Sequence, residues 1–109
     1  MPRKGPANSA NGSSAVATRS ASLEDRIWKI LSKVPEIEAV FLLRDSSNVI
    51  HIFSVVREFQ SKIYDKLLKK EKLIERDAPE IAFEFHVRAH QGRKPAAAVP
   101  FEATLVHAR

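Results

Sequence analysis

The residues best suited to chemistry lie in segment 83–94, FEFHVRAHQGRK. It contains His86 and His90, two of the chain's four histidines, and the cations of Arg88 and Arg93 near a glycine. Imidazoles bind transition metals, and cations beside a glycine can bind phosphate. The composition of this segment therefore suggests either a metal site or an anion site.

The spacing of His86 and His90 argues against a shared metal ion. An H-x-x-x-H pair on a helix faces one zinc ion. Here the alternation of Phe83, Phe85 and Val87 with polar residues predicts a β-strand. Four residues of strand span about 13 Å, whereas Zn–N bonds are about 2 Å long. We therefore expect no metal bound by this pair, and the absence of cysteine excludes thiolate sites.

A second route to a site runs across neighbouring strands. His51 lies in an earlier β-branched run whose alternation puts it on one face with Phe53. If that strand lies beside the one carrying His86, His51 approaches His86, with Glu84 and Arg88 as diagonal neighbours. Such a group could bind a metal through His–His–Glu, or an anion through the arginine. The simpler alternative is a solvated or partner-covered sheet face, and the interleaved Phe53 and Val55 favour a partner surface over plain solvent.

The elements that would position these side chains follow the order α-β-β-α-β. The pattern predicts a helix from the Ser22 cap to Val34, strands at 37–44 and 49–56, a helix at 57–76 and a strand at 80–90. The core stripe of the second helix is expected to include Phe59. A right-handed crossover then makes the second and third strands parallel, with both helices on one face.

The predicted fold class is α/β (α+β), a two-layer sandwich. Its small mixed sheet has three strands, or four if residues 103–107 also pair, and its other face is open or covered from outside the chain. Residues 1–21 are expected to be a disordered basic tail, residues 22–90 a single domain, and residues 91–109 a loop followed by a weakly structured segment.

The net charge of +5 lies in the flanks. Residues 1–21 contribute +3 and residues 91–109 contribute +2, whereas residues 22–90 are balanced. Because nucleic-acid domains carry excess cations on a structured face, this distribution disfavours a nucleic-acid role. No run of 18 apolar residues or secretory signal is present, so we expect a cytoplasmic protein without a membrane partner.

Catalytic motifs are missing from the sequence. There is no G-x-S-x-G, P-loop or G-x-G-x-x-G pattern. The element order is similar to that of small nucleotidyltransferases, but the first strand ends in Arg44-Asp45-Ser46-Ser47 without their Gly-Ser motif. The second strand offers His51 and Ser54 in place of their magnesium-binding aspartates. The similarity to nucleotidyltransferases is therefore one of topology alone. If this chain descended from them, it would be catalytically inactive.

The sequence predicts a non-catalytic binding or regulatory domain without a cofactor or bound metal. It would act through the open sheet face, as a homo-oligomer or with a protein partner, using His51, Phe53, Glu84, His86, Arg88 and Arg93. The alternative is a small-ligand, anion or metal site formed by His51, His86 and Arg88. A third interpretation is weak nucleic-acid association through the basic flanks.

Overall fold

The structure is a computed structural model that describes residues 22–109. The tail predicted at residues 1–21 lies outside these described residues. The elements are α1 (Leu23–Leu31), β1 (Ile37–Arg44), β2 (Ile50–Val56), α2 (Ser61–Asp77), β3 (Phe83–Ala89), a short 3-10 helix (Pro95–Ala98) and β4 (Thr104–Ala108). The predicted α+β class, element order and mixed sheet are confirmed.

Helix α1 begins beside its predicted cap. The Ser22 hydroxyl accepts a hydrogen bond from the backbone N–H of Asp25 at 3.1 Å. This bond satisfies an amide that the first turn cannot pair within the helix. Ile27 and Leu31 then point into the core, so α1 is fixed at its start by the cap and along its length by burial.

Helix α2 begins later than predicted. The expected start at Arg57 is wrong, because residues 57–60 form the connection from β2 and Gln60 is extended, with φ −145° and ψ 138°. Phe59 therefore precedes the helix and is 54% exposed instead of joining the core stripe. Neither α1 nor α2 is long and apolar enough to cross a bilayer, and these are the only α-helices in residues 22–109.

The four-stranded sheet has the order β3-β2-β1-β4. β1 pairs antiparallel with β2 and with β4, and β2 pairs parallel with β3. The central position of β1 explains why its sequence is apolar on both faces. The crossover through α2 makes β3 the immediate neighbour of β2, which decides the geometry of the candidate site.

Apolar clusters lie on both faces of the sheet. The helix-covered cluster contains Ile27, Leu31, Val34, Ile37, Val40, Ile50, Ile52, Val56, Ile63, Leu67, Ile74 and Val87. The other contains Ala39, Phe41, Phe53 and Val55, with Leu43, Ala98, Val99 and Ala103 packed against it. The second face is therefore partly covered by the chain's own C-terminal segment. The expectation that its cover would come from outside is wrong for this part, because three small apolar side chains of that segment fold back over it.

The C-terminal residues are held firmly against the sheet and α1. β4 pairs with the edge of β1, one residue later than the strand predicted at 103–107. The Arg109 guanidinium donates to the carbonyls of Ile37, Ser32 and Val34 at 2.7, 2.9 and 3.3 Å. The bond to Ser32 reaches a carbonyl at the end of α1, where the helix leaves acceptors unpaired, and the other two connect Arg109 to the chain between α1 and β1.

Candidate metal centre

The site depends on the parallel register of β2 and β3. His51 is paired with Glu84, Phe53 with His86, and Val55 with Arg88. Because side chains alternate along a strand, His51, Glu84 and His86 share the face opposite the helices. The strand order that the sequence left undetermined therefore makes the two histidines neighbours.

Three potential ligand atoms converge at this point. Nδ1 of His51 lies 2.9 Å from Nε2 of His86. Oε1 of Glu84 lies 3.4 Å from the first nitrogen and 3.6 Å from the second. Within residues 22–109, this is the only group of three or more acidic or histidine side chains with metal-site spacing.

Asp45 adds a fourth polar side chain that sequence reasoning did not assign to the site. Its Oδ2 lies 2.8 Å from Nε2 of His51. Its Oδ1 accepts the backbone N–H groups of Ser47 and Val49 at 2.8 and 3.1 Å. The β1–β2 turn therefore fixes this carboxylate in place. The hairpin register was the signal that could have located Asp45. Arg44 pairs with Ile50, so the next residues outward, Asp45 and Val49, face each other at the turn.

The ionisation of Asp45 determines which nitrogen of His51 is free. The hydrogen bond with His51, followed by that from Val49, holds the pKa of Asp45 below its ordinary value. The group is therefore a carboxylate at neutral pH and accepts a hydrogen bond from the Nε2–H of His51. In the neutral imidazole this leaves the Nδ1 lone pair directed at His86 and Glu84.

His86 is also suited to act as a neutral ligand. Burial, and next the positive charge of Arg88, lowers the pKa of His86, with the charge of His51 acting in the same direction and Glu84 opposing it. Phe53 stacks on the ring with centroids 4.6 Å apart and planes at 14°. The ring is thus held in position and remains uncharged at neutral pH.

The remaining predicted residues have different surroundings. Phe53 is 3% exposed, so its aromatic face contacts His86 and the C-terminal cover, not solvent. The Arg88 guanidinium lies 5.6 Å from the Phe53 ring centroid and donates to the Val87 carbonyl. Arg93 lies in the loop after β3 and donates from Nε to the His90 carbonyl. Phe53 and Arg88 therefore border the three ligand atoms, whereas Arg93 contacts the loop.

His90 belongs to a separate structural contact. Its Nε2 lies 2.7 Å from Oε1 of Glu38, and its Nδ1 accepts the N–H of Gly92 at 3.0 Å. Gln91 and Gly92 have φ of 54° and 87°, and the N–H of Arg93 donates to the His90 carbonyl, as in a type I′ turn. The amides of Gln91, Gly92 and Arg93 already have partners, so none of them is a free donor for a phosphate.

The separations within the cluster suit a tetrahedral ion. With Zn–N and Zn–O bonds of about 2.0 Å, neighbouring ligands lie about 3.3 Å apart in a tetrahedron. The three measured separations are 2.9, 3.4 and 3.6 Å. Two imidazoles and one carboxylate would leave the fourth position for water or another ligand.

Comparisons with protein-family models, with curated proteins and with solved structures give no match.

Proposed function

We propose that this domain binds a divalent transition-metal ion, with Zn²⁺ the best fit, through Nδ1 of His51, Nε2 of His86 and a carboxylate oxygen of Glu84. The observation that carries the proposal is the triangle of ligand atoms with sides of 2.9, 3.4 and 3.6 Å. Imidazole nitrogen together with carboxylate oxygen is a common ligand set for Zn²⁺.

The position of Asp45 supports the proposal independently of the three ligands. Metal-binding histidines usually donate their second ring N–H to a carboxylate or carbonyl, which fixes the tautomer and makes the ligand nitrogen more basic. Asp45 has this relation to His51, and two backbone amides hold its other oxygen. In the proposed site His51 would bind the ion, and Asp45 would hold His51 in the orientation that binding needs.

The proposed role is binding, and neither histidine is placed to activate a nucleophile of the protein. In the described part of the chain, no hydroxyl group is hydrogen-bonded to His51 or His86, and the sequence has no cysteine. Activation of a protein nucleophile requires such a contact. The bound ion would instead cross-link β2 and β3 and present an open coordination position beside Arg88, at a surface available to a ligand or partner.

Titration of the purified, chelator-treated chain with Zn²⁺ in a calorimeter tests the proposal. We expect one ion per chain and a higher melting temperature, because an ion bound only to the folded state stabilises it. Co²⁺ should give the absorption bands of a tetrahedral site with nitrogen and oxygen ligands.

Substitutions assign the ligands. His86→Ala and Glu84→Gln should each weaken binding by at least about tenfold, since each removes an inner ligand. His107→Gln is the matched control, because it removes an exposed histidine from a different part of the sheet. Equal Zn²⁺ binding by the wild type and His86→Ala would contradict the proposal.

A further inference from the structure

We propose that two copies of this chain form a two-fold dimer by pairing their β3 strands antiparallel, centred on His86. β3 lies at the end of the sheet, and none of residues 22–109 pairs with its outer side. Between Phe83 and Ala89 there is no proline or lysine, and the register with β2 is uninterrupted. Apart from the charges of Glu84 and Arg88, such an edge lacks the usual devices against pairing with another strand.

The backbone groups on this edge are suited to antiparallel pairing. The Ala82 carbonyl and the His90 N–H both bond to β2, which directs the even-numbered residues between them towards the sheet. The N–H and C=O groups of Phe85 and Val87 therefore face outward. With His86 on the two-fold axis, Phe85 lies opposite Val87 of the partner subunit, and these two residues form a hydrogen-bonded pair.

The charges of β3 are self-complementary in the same register. Glu84 lies opposite Arg88 of the partner subunit, and the symmetry repeats this pair on the other side of the axis. Cross-strand pairs of opposite charge stabilise a ladder. Within residues 22–109, no carboxylate lies within 4.0 Å of the Arg88 guanidinium. Glu84 is 61% exposed and Arg88 is half-buried, so the Glu84 carboxylate is free to reach across the axis towards the partner's Arg88.

The helix above this edge also exposes apolar side chains. On α2, Asp77 faces Arg26 of α1, and Lys66 shares that side of the helix and pairs with Glu36. Tyr64 and Leu68 are each two residues from Lys66, about 160–200° around the helix. They therefore lie on the flank away from α1, above the free edge of β3.

This flank is exposed to an extent that suits an interface. Tyr64 is 45% and Leu68 is 52% exposed, and Phe59, 54% exposed, stacks on Tyr64 with centroids 6.3 Å apart. Pairing of the β3 strands would bring the α2 helices of two copies side by side and cover these groups. A second copy would thus pair the free backbone groups of β3, bring Glu84 and Arg88 of opposite subunits together and cover the apolar flank. The same surface of each copy does this, as in any isologous interface.

The dimer would also affect the metal centre, and this consequence rests on the proposed function. Arg88 of the partner subunit would hold the exposed Glu84 carboxylate beside His51 and His86. Metal binding and dimerisation would then favour each other, since coupling between two binding events is reciprocal. The dimer itself does not require the ion, although Glu84 takes part in both.

Molar mass measured by light scattering over a concentration series, in the presence of a chelator, tests the dimer separately from metal binding. The wild type should approach twice the chain mass of 12.2 kDa as concentration rises. Arg88→Glu should shift the midpoint at least tenfold higher, because it places like charges opposite each other at both ends of the ladder. Arg93→Glu is the matched control, since it makes the same charge change outside β3.

The exchanged double variant, Glu84→Arg with Arg88→Glu, restores opposite charges in the proposed register. It should recover most of the self-association that Arg88→Glu loses, with circular dichroism confirming that each variant is folded. A wild type that stays a monomer at millimolar concentration would overturn the proposal and leave the edge for a strand of another protein. The proposed register, with His86 on the two-fold axis, would be overturned by either of two results. One is a dimer that Arg88→Glu does not weaken, and the other is a double variant that does not regain self-association.

Discussion

The carboxylate of Asp45 lies 2.8 Å from Nε2 of His51, although the two residues belong to a turn and the strand that follows it. The turn holds Asp45 through two backbone amides, so the carboxylate is positioned before it contacts the histidine. The opposite nitrogen of His51 is thereby directed at His86 and Glu84. The contact therefore orients the candidate ligand atoms of the sheet surface.

Asp45→Asn is expected to weaken Zn²⁺ binding by about 10- to 100-fold, the usual effect of changing an outer-shell partner. The asparagine carbonyl can still accept the two turn amides, so the hairpin should stay folded. Its amide nitrogen would donate to Nε2 of His51, which moves the ring proton to Nδ1 and blocks the ligand position.

Calorimetric Zn²⁺ titration measures this effect, with circular dichroism to confirm the fold. Asp65→Asn is the control, because Asp65 is exposed on α2 and makes the same charge change away from the site. Unchanged affinity in Asp45→Asn would contradict the assigned role of the carboxylate, whereas equal loss in both variants would indicate an effect of net charge.

Glu71 on α2 should make stability depend on pH. Burial, and next the charge of Glu75, raises the pKa of Glu71 to about 7 from its ordinary 4.5. Between these values the folded state retains a proton that the unfolded state has released, so stability falls as pH rises through this window. Glu71→Gln removes the titration and should therefore stabilise the protein at pH 8 but not at pH 4.

Urea unfolding at both pH values measures the difference between variant and wild type. We expect Glu71→Gln to gain about 1 to 2 kcal/mol at pH 8, less than the full shift implies because Glu71 is partly exposed. Glu58→Gln, an exposed acid outside α2, is the control. A gain of the same size at pH 4 would show that better packing, and not ionisation, is responsible.

The sequence was sufficient for the element order but not for all positions in the fold. Periodicity located the helices and strands because each buries one face, and the crossover rule correctly predicted that β2 and β3 are parallel, although it did not decide that they are neighbours. The apolar pattern wrongly assigned Phe59 to α2, because its spacing matches the apolar stripe of that helix although the helix starts at Ser61. A helical period cannot by itself show where the chain leaves an extended connection.

The candidate site could be predicted only in part. His51, Glu84 and His86 were recognised as a group conditional on strand order, and the register now places their ligand atoms within 3.6 Å of one another. The cover over Phe53 was not predictable from periodicity, because Ala98, Val99 and Ala103 belong to a segment without a regular apolar pattern. Long-range packing of such short side chains depends on the completed sheet.

Arg109 should contribute strongly to stability for a surface arginine. It donates to three carbonyls around the end of α1, and its guanidinium lies 5.0 Å from the Trp28 ring centroid. Trp28 in turn stacks on His107 of β4 with centroids 4.2 Å apart. Loss of this side chain removes three hydrogen bonds, although the Val34 carbonyl keeps the backbone N–H of Ile37 as a partner.

Arg109→Ala is expected to lower the free energy of unfolding by about 1 to 3 kcal/mol, the cost of leaving partly buried acceptors without their donor. Urea unfolding followed by fluorescence of Trp28, the chain's single tryptophan, measures it. Arg109→Lys should lose an intermediate amount, because an ammonium keeps the charge but not the planar fork that reaches several carbonyls. Arg44→Ala is the control, since Arg44 bonds only to exposed Asn48 in the turn. If Arg109→Ala matched that control, water would replace the guanidinium without cost, and the attachment of β4 would rest on its pairing with β1 alone.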